Sequence, residues 1–466
     1  MFFKCIYTGT MIENTDLTFA VLGTILGFIS GFVPGVGNVV MMILTFPIIT
    51  NASLFQMLLF YLVLTSASQF SGSIVATVFG VPGETSSMPA VIEGNRMFNR
   101  GVGNFAISNA ALGSVLGAFI ALSIIFLLLP ISIELIKNFY NNNVQIIILL
   151  ITCFSVLILL GNSFWKSVLV FLIGFLLALI GFTDVPRMLF LEQIIPYTEY
   201  PKLRSGLPFF PVIVSLYMFP VLVTTYQQLK GYKTDKEYFD NNSFFEHLRE
   251  FKNNLWSAIR GSMFGCIVGL IPHVGTSISS NLSYAIEKKL RIKRKTYNNK
   301  GDIKSLVSAE TANNGTAMVG IMPLLLIGIP ISASEAILLS FINANGYIID
   351  YTTTITTGMF KNLALYFVVV NIMCFIFAWP AVRYVNYLKK VKVETLLIFT
   401  GITVVMLTYY VGNLTMDGMY YLLVMICLLP LGYLIRNSEP MILIIAFVLQ
   451  DKILASVSVF YQIHFG

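Results

Sequence analysis

Two short motifs, each present twice, carry most of the chemistry in this sequence. Gly31-Phe-Val-Pro34-Gly35-Val-Gly37 is echoed by Gly269-Leu-Ile-Pro272-His-Val-Gly275. Gly80-Val-Pro82-Gly83-Glu84-Thr-Ser-Ser87 is echoed by Gly328-Ile-Pro330-Ile-Ser332-Ala-Ser334-Glu335. Proline and glycine interrupt a helix and free backbone N–H and C=O groups. A half-helix that starts after such a break presents bare N–H groups and the positive end of its dipole, which suits an anion. The terminal carbonyls of its partner suit a cation. The neighbouring residues fit that division. Gly35, Gly37, Gly83, Thr85, Ser86, Ser87, Gly275, Thr276, Ser332 and Ser334 offer hydroxyls and close backbone approach, and form the expected substrate-binding set for a carboxylate. Ser66, Gln69, Glu310, Asn313 and Asn314 offer hydroxyl, amide and carboxylate oxygens, the ligands of hard cations. They form the expected ion-coupling set. A serine or threonine can equally bond back to its own helix. Two adjacent amides in an apolar run, Asn313 and Asn314, need partners.

Composition places these breaks in a bilayer. The chain has 466 residues, of which 56% are hydrophobic and only 11% charged. A soluble protein carries about 25% charged residues, so this chain cannot clothe itself in a water-compatible surface. A cytosolic enzyme, a nucleic-acid binder and a disordered scaffold are excluded. No charged residue stands between Asp16 and Glu84, which leaves room for about three passes of ~20 residues. Further uncharged runs at 101–133, 138–165, 167–183, 205–229, 261–286, 311–334, 362–382, 395–416 and 418–435, with a last segment at 440–450, bring the expectation to ten to twelve membrane segments. Backbone freed at that depth persists only where protein or a water-filled cavity covers it. Kinks and glycine contacts account for one such motif, but poorly for four in matched order. Glu84, Glu310, Glu335 and Asp184 are the acids nearest that depth. Each reads as an ion-coupling group or as a water-facing helix cap.

The spacing of the motifs implies a duplication. Pro272 lies 238 positions after Pro34, and Pro330 lies 248 after Pro82. The difference matches an insertion in the basic loop at 287–304. Charge gives the orientation of the halves. Before the second motif, the first half has the uncharged connection 50–53, whereas the second half has eight Lys or Arg residues between Lys288 and Lys304. After it, the first half has Arg96 and Arg100, and residues 343–358 of the second have no base. Short basic loops stay in the cytoplasm, so equivalent loops face opposite sides. The expected fold is therefore an all-α polytopic membrane protein in two inverted repeats with broken helices or re-entrant hairpins. The expected divisions are residues 1–226 for the first repeat, 227–256 for a polar linker, and 257–466 for the second repeat. Within the linker, Phe244, Leu248, Phe251 and Leu255 make one apolar stripe, with His247, Arg249, Glu250 and Lys252 off it. That pattern predicts an amphipathic helix on the membrane surface.

Other chemistry is weakly represented. The five cysteines have no metal or redox spacing and read as small buried hydrophobes; His247, His273 and His464 form no cluster. No metal site is expected, and no cofactor beyond Na⁺ or H⁺ as a coupling ion. His-Glu-x-x-His, an acid-rich Asp-Asp-x-x-Asp pair and Gly-x-Gly-Asp are all missing, so the expectation is not an enzyme. The N-terminus, with Lys4 ahead of Glu13 and Asp16, does not read as a cleaved signal.

The combined motifs resemble the large membrane subunit of the tripartite tricarboxylate transporters. The resemblance rests on Gly31-Phe-Val-Pro34-Gly-Val-Gly37, Val81-Pro-Gly-Glu-Thr-Ser-Ser87, Glu93-Gly-Asn and Trp256…Arg260-Gly261. It rests also on Ser283-Tyr284-Ala-Ile-Glu287-Lys288, Glu310-Thr-Ala-Asn313-Asn314 and Pro323…Gly328-Ile-Pro330, and it runs from about residue 17 to 350. It implies a permease of the inner (cytoplasmic) membrane for ion-driven uptake of organic carboxylates. It also implies a small membrane subunit and an extracytoplasmic solute-binding protein as partners. The chain departs from the family pattern at His273, at Ile331 where a Gly is usual, and at Gln450-Asp451. The large subunit of a TRAP-type dicarboxylate transporter and a passive anion channel share the broken-helix logic and stay open as alternatives.

Overall fold

The structure is a computed structural model that describes residues 14–33, 36–80, 82–159, 163–180, 202, 206–229, 244–271, 275–330, 332–349, 357–388, 393–436 and 440–465. Regular structure among them is helical. The first half contains α1 (Asn14–Phe32), α2 (Gly37–Leu44), α3 (Leu54–Phe79), α4 (Gly103–Phe139), α5 (Asn142–Leu159), α6 (Phe164–Leu179) and α7 (Phe209–Gln227). Then come α8 (Phe244–Phe251), α9 (Leu255–Gly269), α10 (Thr276–Lys293), α11 (Ile303–Ile327) and α12 (Ala333–Ala344). The chain closes with α13 (Thr357–Leu388), α14 (Val393–Thr415), α15 (Gly418–Ile435) and α16 (Pro440–Phe465).

Among the described residues eight helices are long and apolar enough to cross a membrane: α1, α3, α4, α7, α13, α14, α15 and α16. Three further apolar helices, α5, α6 and α12, are shorter, which brings the apolar helices among the described residues to eleven. The stretch around residues 255–293 is split into α9 and α10, and α11 spends part of its length on buried Ser308, Glu310, Thr311, Asn313, Asn314 and Thr316.

The chain forms two compact units, Met1–Glu134 with Leu229–Leu396, and Leu135–Gln228 with Leu397–Gly466. Each unit takes one stretch from either side of the predicted linker. The second unit packs α6 on α16, where Gly174 lies against the Leu443 backbone. The Ser215 hydroxyl donates to the Met425 carbonyl at 2.8 Å. The Lys202 ammonium sits on the Asp417 carboxylate that caps α15 and holds that carboxyl below its usual range.

The first unit carries the motifs, and its packing repeats. On α1, Gly23, Gly27 and Gly31 face α3, and where their Cβ atoms would stand lie the carbonyls of Phe60, Leu64 and Ser68. On α9, Gly261, Gly265 and Gly269 face α11 and meet the carbonyls of Ser308, Ala312 and Thr316. The two glycine series are 238 positions apart and the two carbonyl series 248 apart. These are the offsets of the proline motifs. Small residues every fourth position let helices approach closely in a bilayer, where no hydrophobic force drives them together. Both pairs thus use one register, as a duplicated unit requires.

The turns that follow also match. Gly80 ends α3 with φ 68° and Gly328 ends α11 with φ 66°. This left-handed cap suits glycine and satisfies terminal carbonyls. A few residues later Glu84 (φ −140°, ψ 154°) and Ser332 (φ −140°, ψ 164°) stand as extended N-caps. The Ser332 hydroxyl accepts from the Glu335 N–H, and the Ser87 hydroxyl accepts from the Glu84 N–H, both at 3.3 Å.

The connections pair off by charge. The Asn51 N–H, in the uncharged first-half connection, donates to Asn345 Oδ1 of the base-free second-half connection at 2.8 Å. Elsewhere in the unit Arg100 donates to the Lys300 carbonyl at 3.3 Å. Fully buried Glu93 accepts there from the Tyr284 and Tyr297 hydroxyls at 2.7 and 2.8 Å and from the Asp302 N–H at 2.9 Å. The basic loop is pinned to the first half by one internal carboxylate.

The polar linker is described only from residue 244 onward. Its helix, α8, orients differently from the stripe's simplest reading. His247, off the stripe, is 1% exposed, meets the Ser108 hydroxyl at 3.2 Å and stacks edge-on to Phe105 at 5.5 Å. Leu248 and Leu255 of the stripe are exposed. His247 docks on α4, while Arg249, Glu250 and Lys252 stay exposed.

Candidate functional site

Four elements of the first unit converge on the two extended tips. The first is the N-terminus of α2. Gly37 there has φ 50°, and a Cβ on it would lie 3.8 Å from Glu84 Cγ. The next residue, Asn38, is buried, and its side-chain Nδ2 donates to Ser334 Oγ at 3.5 Å. The start of α2 thus lies beside Glu84 of the tip after Pro82 and bonds to the tip after Pro330.

The second element is α10, whose N-terminus Gly275-Thr276 is the second-half counterpart of α2. The Ser280 hydroxyl donates to the Ser86 carbonyl at 2.8 Å. The Ser279 hydroxyl accepts from Thr316 Oγ1 at 2.6 Å. The crossing is reciprocal: α2 of the first half touches the second tip, and α10 of the second half touches the first.

The long helices supply the rest. From α11, Asn313 Nδ2 donates to Ser86 Oγ at 3.2 Å, and Ser86 Oγ donates to Glu84 Oε2 at 3.3 Å. Asn314 Nδ2 leans back to the Glu310 carbonyl at 3.4 Å. The Oδ1 atoms of Asn313 and Asn314 are buried without a partner. From α3, the Ser73 hydroxyl donates to Glu310 Oε1 across to α11. Also from α3, the Tyr61 hydroxyl lies 3.4 Å from Ser334 Oγ and 3.5 Å from Glu335 Oε1. Ser66 Oγ and both polar atoms of the Gln69 side chain are buried without partners. Leaving so many acceptors unsatisfied is costly in a protein interior. A hard cation with oxygen ligands would relieve that cost.

The expected residues thus fall into clear groups. Ser86 bonds directly to Asn313, Ser332 to Ser334, Gly37 lies beside Glu84, and Glu310 is held by Ser73. Ser87 caps the first tip, Thr85 opens its short turn, and Gly275 and Thr276 start α10. Ser66, Gln69 and Asn314 are buried on the same two long helices. Gly35, Pro34, Pro272, His273, Ile331 and Asp184 lie outside the described residues. Gly83 plays a role other than the one expected. A Cβ on it would meet the Gly31 carbonyl at 2.5 Å and Gly72 Cα at 2.7 Å. Its missing side chain makes room for two helices.

Sequence reasoning missed Asn38, Tyr61, Ser73, Ser279 and Ser280 as site residues. A signal existed for two of them. Tyr61, Thr65, Gln69 and Ser73 recur every fourth residue, one polar stripe along an otherwise apolar helix.

The fold and site define a multi-pass helical membrane protein organised around paired helix breaks. The chain belongs to the family described as the tripartite tricarboxylate transporter TctA family, which it matches over residues 17–444. It is also similar to an uncharacterized 52.8 kDa protein in the TAR-I ttuC' 3' region of Agrobacterium vitis, 25% identical over 326 residues. That match spans 69% of this chain and 62% of the length of the relative. No solved structure matches the chain significantly.

Proposed function

We propose that this chain is the permease subunit of a secondary, cation-coupled uptake system for tricarboxylates or related organic carboxylates. It works in the inner (cytoplasmic) membrane, beside a small membrane subunit, and receives its solute from an extracytoplasmic binding protein. Family membership supports the class and the partners. The observation that carries the site is the start of α2, where Gly37 lies beside Glu84 of the first tip and Asn38 bonds to Ser334 of the second. Hydroxyls of Ser86, Ser332 and Ser334 and the bare N–H groups of α2 and α10 hold carboxylate oxygens. The oxygens of Ser66, Gln69, Glu310, Asn313 and Asn314 hold the coupling ion, Na⁺ or H⁺. The test is uptake of labelled tricarboxylate into proteoliposomes containing the membrane subunits, with binding protein added outside. Concentrative uptake that follows an imposed Na⁺ or H⁺ gradient supports the reading. Flux that only equalises concentrations would make the protein a channel.

The two halves are inverted in this reading. The pairing of Asn51 with Asn345, and of Arg100 with Lys300, is what inversion requires of connections on the same side. Single cysteines replacing exposed Asn51 and Ala344 should react with an impermeant maleimide from outside intact cells. Cysteines replacing exposed Asn99 and Asn299 should react only after permeabilisation. Reaction of Asn51→Cys and Asn299→Cys from one side would remove the inversion.

A further inference from the structure

We infer that the corner where α9 begins and α10 ends is a docking surface for anionic phospholipid headgroups. Glu287 ties the two helix ends together at one level. The Arg260 guanidinium grips its carboxylate at 2.7 and 3.0 Å, and the Ser257 hydroxyl donates to it at 2.8 Å. At that level both helices change surface. On α10, Leu282, Ile286, Lys289 and Lys293 follow at steps of four, three and four, which is one face of a helix, and all four are exposed. That face is apolar for its first two residues and basic for its last two. On α9, read toward its N-terminus, Ile267, Met263 and Trp256 keep helical spacing on an exposed face, and exposed Lys252 stands one turn beyond. The end of α8 adds exposed Leu248 and Arg249 to the same corner.

Trp256 marks the depth. It is 72% exposed beside Ser257, where the apolar face gives way to bases. An outward tryptophan at such a boundary belongs at the membrane–water interface. The charge there is uncompensated. Among the described residues Arg249, Lys252, Lys289 and Lys293 form no ion pair. The buried acids nearby are taken: Glu287 by Arg260, Asp302 by Arg291 at 3.2 Å, and Glu93 has Lys288 at 3.9 Å. Exposed Glu250 offsets one of the four charges, so the corner stays basic. A phospholipid matches both parts of this surface. Its acyl chains cover the apolar residues, and lysines whose stems lie on that face carry their ammonium groups to the phosphate. A soluble acidic protein would match the bases and leave the apolar face that runs into them uncovered. Each Lys or Arg near an anionic lipid surface strengthens the attraction about 5-fold.

The full chain, purified in detergent, gives the test through its melting temperature, since a ligand of the folded state raises it. It is titrated with phosphatidylglycerol, or with phosphatidylcholine of the same acyl chains, in mixed micelles. Phosphatidylglycerol should act at a mole fraction about 10-fold or more below that of phosphatidylcholine, and added salt should narrow the gap. Replacing two bases together, Lys289→Gln with Lys293→Gln, should reduce that preference about 10-fold or more and leave the lipid-free melting temperature unchanged. Arg249→Gln with Lys252→Gln tests the α8–α9 side with the same expectation. Lys361→Gln, exposed on α13 and outside this surface, should keep the full preference. Equal response to the two lipids would overturn the proposal, as would a preference that survives both double variants. Glycerol 3-phosphate, the soluble headgroup fragment, should have no effect; if it reproduces the phosphatidylglycerol shift, the corner binds free phosphate and the lipid assignment falls. The titration contains no carboxylate solute and no sealed membrane, so its failure leaves the transport reading untouched.

Discussion

Gly83→Val is expected to reduce carboxylate uptake to background, and to do so by moving the first tip. Built on the backbone, its Cβ stands 2.5 Å from the Gly31 carbonyl, 2.7 Å from Gly72 Cα and 3.2 Å from the Gly72 carbonyl. All three neighbours are backbone atoms of packed helices, so none can swing aside. Overpacking of this kind costs about 1–3 kcal/mol. The segment after Pro82 has to give way instead. A shift of roughly one ångström at Glu84–Ser87 separates Ser86 from both Asn313 and Ser280, and positioning errors of that size cost catalysts on the order of 100-fold. Gly83→Ala should show a smaller version of the same loss. Gly401, which has no atom within 4 Å of its would-be Cβ, is the control, and Gly401→Ala should transport normally. Normal uptake by Gly83→Val, at normal expression, would show that the tip does not lie between α1 and α3 as described.

The second large effect falls on folding. Gly265→Val should lower the yield of folded protein sharply, with a stability loss at or above about 3 kcal/mol. Its Cβ would press on the Ala312 carbonyl and come within 2.6 Å of Ala312 Cα, splitting α9 from α11. The counterpart Gly27→Val should fail in the same way, because its Cβ meets the Leu64 carbonyl and lies 2.8 Å from Ala67 Cβ. Size-exclusion profiles of detergent extracts give the readout. A folded Gly265→Val with a defective Gly27→Val would break the equivalence of the two helix pairs.

How much of this was legible in the sequence depends on distance along the chain. Helical class, the bilayer and the broken segments follow from composition and from proline and glycine in apolar runs, which are local signals. The matched offsets of the two motif pairs were legible too. The glycines at 23, 27 and 31 and at 261, 265 and 269 carry the same 238-residue offset and extend that signal down whole helices. What the offset could not supply was their partner, since the helix that fills each missing Cβ lies some 40 residues further on. Gly83 shows that limit. Its neighbours, Gly31 and Gly72, come together only in the fold, so a glycine reserved for helix crossing looked like one reserved for a ligand. His247 shows the same limit. It stands off the apolar stripe, yet a hydroxyl and an aromatic ring on α4 bury it while Arg249, Glu250 and Lys252 stay exposed. Uncharged length is not all spanning length: part of it goes to half-helices and to the polar residues of α11, so eight full-length spans stand beside three shorter apolar helices among the described residues.

The central claim is that the paired tips hold the transported carboxylate. The most direct measurement is substrate protection of a single cysteine replacing half-buried Ser332, whose hydroxyl lies 3.1 Å from Ser334 Oγ. In the full chain with native cysteines replaced by alanine, Ser332→Cys is modified by a small membrane-permeant maleimide, in Na⁺ medium, with and without citrate. Labelling should be slowed about 10-fold or more by saturating citrate, while a cysteine at Asn299 reacts at an unchanged rate. Equal labelling of Ser332→Cys with and without citrate, in a preparation whose melting temperature citrate raises, would place the carboxylate elsewhere and leave the tips as helix-packing devices.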